Sequence, residues 1–340
     1  MRGESYKMTL RELIIAEYGI QITDLTLLDR YFGTEIYLAA ANGTRYIVKK
    51  LPPTAPSLEK EEPLTRYLAR NGIPVARLLL TKHGEGCVKT EQSQFHTQFH
   101  VQEFIEGKIF QVNTAPPWLV DESARLLGKI HGVLENYGNM DVNFGKSFFS
   151  SSNALEKKKY YEQQLTAAIA GAVDNTDEKS GINIILISTL KERVKHLERI
   201  SAFTIETDKL TYANSHGDYY IGQLIINGRK ATVIDWTGAC MLPAALEVAM
   251  SYVFSAPECA NGIISGDGLN RYIEQYLAYY HLNDYDIRII PRLLYYQQIM
   301  CHYPPPYEAI PETYKPICGL INRFTSWLYE HAEDLETALY

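Results

Sequence analysis

The sequence predicts an α+β chain of two lobes, a small one over residues 1–105 built mainly of antiparallel strands with one helix, and a larger, mainly helical one over residues 106–340. Three observations carry this. An Asn-Gly pair joins two strand-like runs early in the chain, amphipathic helical periodicity sets in at Asp121, and one strand-rich segment, residues 212–236, interrupts the helices.

Taken in order, the runs Thr34–Ala41 and Thr44–Leu51 flank Asn42-Gly43. Asn-Gly between strands signals a two-residue hairpin, because both turn positions take positive φ. Lys49 and Lys50 then fall late in the second strand. SLEKEEPLTRYLARNG reads as a helix with Glu61, Leu64 and Leu68 on one face and Asn71-Gly72 as its stop, with Pro63 in the first turn, where a helix tolerates proline. Two more strands are expected at residues 75–81 and 98–105, with Glu106-Gly107 closing the small lobe and a cleft between the lobes. From Asp121, expected as the N-cap, Leu126, Leu127, Ile130 and Leu134 form one stripe and Gly138 lies beyond the end. Further helices are expected near residues 160–172, 184–200, 270–280 and 321–330.

Composition bounds the function. A chain of 340 residues buries its own cores. The five cysteines stand singly, without the paired spacing of a zinc site or disulfide framework, and read as reduced thiols. A formal net charge of -7 with no basic block argues against a nucleic-acid partner and permits a cationic ligand. The start has no secretory pattern and no apolar run is long enough for a membrane span, so the expected location is the cytoplasm, with no membrane partner. The sequence assigns no oligomeric state.

The chemistry concentrates in HGDYYIGQLIINGRKATVIDWTGA. It reads as a loop ending at Gln223, a strand over residues 224–226, a turn at Asn227-Gly228, a strand over residues 231–234, and then Asp235. A hairpin holds the groups at its two outer ends at fixed separation, so Asp218, Gln223 and Asp235 are expected to converge. Phosphoryl transfer asks for a carboxylate that takes a hydroxyl proton, oxygen ligands for magnesium, and positive charge on the phosphates. The first two are present here.

HGD, an amide side chain a few residues on, a short hairpin and IDW together resemble the aminoglycoside phosphotransferase and choline kinase superfamily, protein-kinase-like small-molecule kinases. The resemblance extends along the chain: YIVKK is similar to the strand with the phosphate-contacting lysine, VQEFIEG to the adenine-binding linker, and LLGKIHGVL to the first long helix of the second lobe. It implies a protein-kinase-like two-lobe fold and transfer of the ATP γ-phosphate to a hydroxyl of a small molecule, an amino sugar, aminoglycoside or choline-like metabolite. It further implies Asp218 as catalytic base, Asp235 with Gln223 on Mg2+, Lys49 on the α- and β-phosphates paired with Glu61, and the backbone of Glu103 and Ile105 at the adenine edge. His216 is then an organiser of its loop. Gln223 stands where the family usually has asparagine but still offers a carbonyl oxygen, and LLDRYFGTEIY has only Gly33 where a glycine-rich loop is usual.

Lys50, pointing to the other strand face, and Glu62 remain alternatives to their neighbours. A catalytically silent kinase-like protein is a second reading, motivated by Gln223 and the sparse phosphate loop. A metal-dependent hydrolase using His216, Asp218 and Asp235 is a third, which needs further ligands. His96 and His100 alternate along a strand and read as structural. Glu247 follows IDW where the family often has an aspartate that locks its loop to a helix, a task a buried carboxylate accepting backbone N–H bonds performs without catalysis, and the Pro-rich stretch near residues 301–314 reads as a border of the acceptor pocket or as a plain surface connection.

Overall fold

The computed structural model of the chain describes residues 8–31, 33–52, 58–90, 97–173, 180–302 and 315–339. His96 and residues 303–314 lie outside them. The elements run α1 (Leu10–Tyr18), β1 (Asp24–Tyr31), β2 (Thr34–Ala41), β3 (Thr44–Leu51), α2 (Glu61–Arg70), β4 (Val88–Thr90), β5 (Thr97–Glu103), β6 (Lys108–Ile109), α3 (Pro117–Leu134), α4 (Ser151–Val173), α5 (Ser180–Ser201), β7 (Tyr212–Ser215), β8 (Leu224–Asn227), β9 (Lys230–Val233), β10 (Cys240–Pro243), α6 (Ala244–Ser255), α7 (Gly266–Leu277), α8 (Asp284–Gln297) and α9 (Lys315–Ala338). Backbone contacts divide the chain into two compact units, Met1–Ile109 with Gln223–Ala239, and Phe110–Gly222 with Cys240–Tyr340. The sequence reading puts residues 223–239 with the helical region. They group instead with the first unit because β8 pairs with β6, and because Val233 donates to Pro74 and accepts from Ala76.

The first unit is built on an antiparallel sheet of order β1-β2-β3-β5-β4. Its β2–β3 hairpin turns at Asn42 (φ 50°) and Gly43 (φ 78°), the paired positive values that the Asn-Gly signal demands. That register sets Lys49 opposite Ile36 on one side and His100 on the other. Ile14, Ala39, Val48, Phe99 and Val101 form the core under this sheet. Ile14 comes from α1, an element the sequence reading lacks, although its Thr9–Glu12 capping box is a legible start signal. α2 carries Pro63 at its third position and ends where Asn71 donates to the carbonyls of Tyr67 and Leu68, with Gly72 at φ 81°.

Residues 75–81 are not the expected strand. Val75 bridges Val233 on one neighbour while Leu78 bridges Gln102 on another, so the segment is strung between two partners and continuous with neither. The expected strand over residues 98–105 stops at Glu103, which leaves Ile105 outside the ladder.

In the second unit α3 begins before the expected Asp121 cap. Pro116 is extended (φ -67°, ψ 153°) and Pro117 takes the first helical position, where a missing N–H costs nothing. Asp121 pairs with Arg271 instead. α4 and α5 cover the two expected central helices, and α7 and α9 the two expected late ones. α6 and α8 were not anticipated. α6 is buried at every position and so lacks the exposed polar face that marks a surface helix, while α8 starts from an Asn283–Asp286 capping box and runs through Pro291. β7 and β10 form a two-stranded ribbon. Among the described residues no helix is long and apolar enough to cross a membrane.

Candidate active site

In the first unit, β8 and β9 pair from Asn227↔Lys230 at the turn to Leu224↔Val233 at the open end. There the N–H of Ile234 donates to the carbonyl of Gln223 at 3.0 Å, so Gln223 and Asp235 flank the last rung of one hairpin. Asp235 takes left-handed backbone angles (φ 62°, ψ 67°), a conformation that costs an ordinary residue about 1 kcal/mol or more and persists where surroundings over-determine it. Here they do. Its Oδ1 accepts from the Lys49 ammonium and from the Thr237 hydroxyl (2.9 Å), and Lys49 also donates to Thr237 Oγ1 at 2.7 Å.

The structure separates the two lysines. Lys49 is buried, with 7% of its surface exposed. Lys50 turns to the other face of β3 and pairs with Glu35 at 2.8 Å. The two glutamates separate as well: Glu62 pairs with Arg66 one turn along α2, whereas Glu61 points inward.

Glu61 does not take the expected hydrogen bond from Lys49. Its Oε1 accepts the Trp236 N–H at 3.2 Å, and its Oε2 lies 3.5 Å from the Thr237 hydroxyl, whose single proton is better aimed at Asp235. The reason is competition: the ammonium is already drawn to Asp235, beyond the hairpin end. Burial lifts the Glu61 carboxyl to about 7, the Lys49 charge works against that rise, and the Asp235 charge adds to it. Beside it His100 is wholly buried on β5, Nδ1 at 3.4 Å from Glu61 Oε2, with neither ring nitrogen hydrogen-bonded. Burial and then the Lys49 charge push that imidazole down to about 3, so it is neutral.

The expected adenine-binding linker follows β5. The N–H of Glu103 donates to the carbonyl of Arg77, and the Glu103 carboxylate holds Arg77 through its backbone N–H and both Nε and Nη2. Phe104 lies under the Arg45 guanidinium at 4.0 Å, and Ile105 follows outside any ladder.

In the second unit, Asp218 is exposed on the loop after β7. Its N–H donates to His216 Nδ1 at 3.3 Å, which puts the ring proton of a neutral His216 on Nε2. Before it, Gly217 takes φ 86° and donates to Glu247 Oε1 at 2.5 Å. Glu247 Oε2 meets His131 Nε2 at 2.8 Å, and His131 Nδ1 meets the Tyr276 hydroxyl at 2.6 Å. Burial alone would raise the Glu247 pKa. The hydrogen bond and charge of His131, the electrostatic pull of the His216 ring and the Gly217 N–H outweigh it and hold the carboxyl below its ordinary value. Glu247 therefore holds the HGD loop through the Gly217 N–H.

Sequence reasoning missed Thr237, whose signal is its position two residues after Asp235, and the placing of His100 beside Glu61, which has no signal beyond its strand register with Lys49. Among the described residues no three His, Cys, Asp or Glu side chains gather as a metal-ligand set, so the hydrolase reading lacks its further ligands.

Residues 34–288 match the phosphotransferase enzyme family. Among solved structures, an amicoumacin kinase in complex with AMP-PNP, Ca2+ and Ami is similar over 97% of this chain and 94% of its own, with a TM-score of 0.63 at 15% identity. A spectinomycin phosphotransferase in complex with ADP and spectinomycin is similar over 96% of this chain and 97% of its own, with a TM-score of 0.59 at 14% identity. A microcompartment-associated aminopropanol kinase covers 96% and 98%, with a TM-score of 0.59 at 13% identity. A comparison with the sequences of curated proteins finds no match. With three quarters of its length matched and a strand-built first unit followed by helices, the chain belongs to the phosphotransferase enzyme family and has a protein-kinase-like fold.

Proposed function

We propose that the chain transfers the γ-phosphate of ATP to a hydroxyl of a small molecule, an amino sugar, aminoglycoside or choline-like metabolite, with Asp218 as base and Asp235 and Gln223 as protein ligands of Mg2+. The observation that carries this is the buried Lys49 bonded to Asp235 at the open end of the β8–β9 hairpin, which keeps a phosphate-binding cation beside a metal-binding carboxylate. The neighbours with AMP-PNP or ADP support a nucleotide as the donor.

The donor set suits magnesium. One carboxylate and one amide oxygen leave positions for phosphate oxygens and water, as this small hard cation prefers. Magnesium held there would supply positive charge against the phosphates of the nucleotide. Lys49 then carries positive charge to the α- and β-phosphates, with Glu61 behind it. The Glu103 carbonyl and the Ile105 N–H meet the adenine edge, since the Glu103 N–H is taken up by Arg77. Asp218 accepts the hydroxyl proton as the new oxygen–phosphorus bond forms, the bond to the β–γ bridging oxygen breaks, and ADP leaves. A cytoplasmic enzyme acting on free metabolites, with no nucleic-acid or membrane partner, follows from the same reading and from the lack of a basic block.

The test is ADP release with ATP and Mg2+ over a panel of amino sugars, aminoglycosides and choline-like alcohols. One class raises ADP release well above the acceptor-free rate; no stimulation by any, together with no magnesium-dependent ATP binding by calorimetry, contradicts the proposal.

A further inference from the structure

All 12 residues of α6 are buried, yet Glu247, Ser251 and Ser255 recur every four positions along it and form one polar stripe. A polar stripe inside a buried helix is costly unless each group is bonded. Each one is. Glu247 Oε1 accepts the Gly217 N–H at 2.5 Å, Ser251 Oγ is hydrogen-bonded to the Tyr272 hydroxyl, and Ser255 Oγ accepts the Ile221 N–H at 3.0 Å. Between the two ends, the Tyr272 hydroxyl lies 3.3 Å from Ser123 Oγ, and the hydroxyl of buried Tyr219 donates to the Ser123 carbonyl at 3.0 Å. The stripe therefore grips the loop one residue before Asp218 and three residues after it, while Asp218 itself stays exposed.

We infer that Ser255 is a positioning residue of the catalytic loop: it fixes the downstream end through the Ile221 N–H, as Glu247 fixes the upstream end through the Gly217 N–H, so that the Asp218 carboxylate is presented in one geometry. This rests on Asp218 being the base. Ser255 is wholly buried and acts only through the loop backbone. A misplaced base slows the proton transfer without weakening nucleotide binding, which depends on other residues.

Ser255→Ala removes the acceptor, and Ser255→Cys keeps the shape with a weaker one. Both are compared with the unmodified protein by deuterium exchange over residues 216–222 and by magnesium-dependent ATP turnover, to acceptor or to water. The expected order is unmodified, then Cys, then Ala: in Ser255→Ala the Ile221 amide exchanges about tenfold faster or more, peptides of the β1–β5 sheet are unchanged, and kcat falls about tenfold with the nucleotide KM within about twofold. If the alanine variant does not fold, the cysteine variant gives the same readings at an intermediate level. Wild-type exchange and kcat in both variants overturn the inference, and so does a loss that raises the nucleotide KM as much as it lowers kcat. If Asp218→Ala keeps full turnover, the base assignment fails while the exchange reading still decides whether Ser255 holds the loop.

Discussion

Lys49 and Asp235, 186 positions apart in the chain, are hydrogen-bonded through the lysine ammonium and the aspartate Oδ1. The bond ties β3 to the residue that follows β9, inside one unit. Lys49→Met removes the cation from two carboxylates, and the expected result by calorimetry is a loss of ATP affinity of about tenfold or more. Lys50→Met touches only the partly exposed Glu35 pair and is expected to change stability by less than about 1 kcal/mol, with ATP affinity unchanged.

Gln223 is expected to matter for the metal more than for the nucleotide. In Gln223→Ala the magnesium concentration for half-maximal ADP release is expected to rise roughly tenfold, because the proposed site would lose one of its two protein oxygens, while metal-free nucleotide binding stays the same. A magnesium titration of the rate reads this directly.

Glu61 makes stability depend on pH. Its carboxyl is raised to about 7 in the folded chain from an ordinary 4.5, chiefly by burial. Between those values the folded state binds more protons than the unfolded one, so this group's contribution falls as pH rises through that window and its cost is complete above about 7. Glu61→Gln, neutral throughout, should flatten the decline. Thermal melts from pH 5 to 8 would then show the variant gaining on the unmodified protein toward pH 8. His100 and Glu247 act at the other end. Both are held below their ordinary values, so the stability they contribute is present above those values and is lost as pH falls below them.

Glu247→Ala leaves the Gly217 N–H without its acceptor and His131 without its carboxylate, all in a buried site. A loss of about 3 kcal/mol is expected, read as a lower denaturant midpoint.

Gly107→Ala tests a close backbone approach. A Cβ there would lie 2.7 Å from the Ile226 carbonyl oxygen, and Gly107 has φ 154°, so β6 and β8 would have to separate. Destabilisation of about 1–3 kcal/mol is expected in the same denaturant measurement.

Where one local signal decided the outcome, the sequence was legible. Asn42-Gly43 set the β2–β3 register and with it the place of Lys49, and the stripe of Leu126, Leu127, Ile130 and Leu134 marked α3. α6 could not be found that way, since a helix buried all round has no broad exposed face to set against its apolar one. Residues 75–81 have strand-like composition, but their bonds go to two partners that the local sequence does not name. The site divides in the same manner. Each of Lys49, Asp235 and Glu247 was marked by its neighbours in sequence, whereas the choice of Asp235 over Glu61 as the lysine's partner depends on a hairpin end and a helix start brought together by folding. Tertiary distance, not residue type, settled that choice.

The most direct test of the account is Asp218→Ala, assayed for both ATP binding and acceptor-dependent ADP release. ATP affinity within about threefold of the unmodified protein, with turnover lowered about 100-fold or more, is the predicted result for loss of a base that touches only the acceptor. Full turnover in this variant would contradict it.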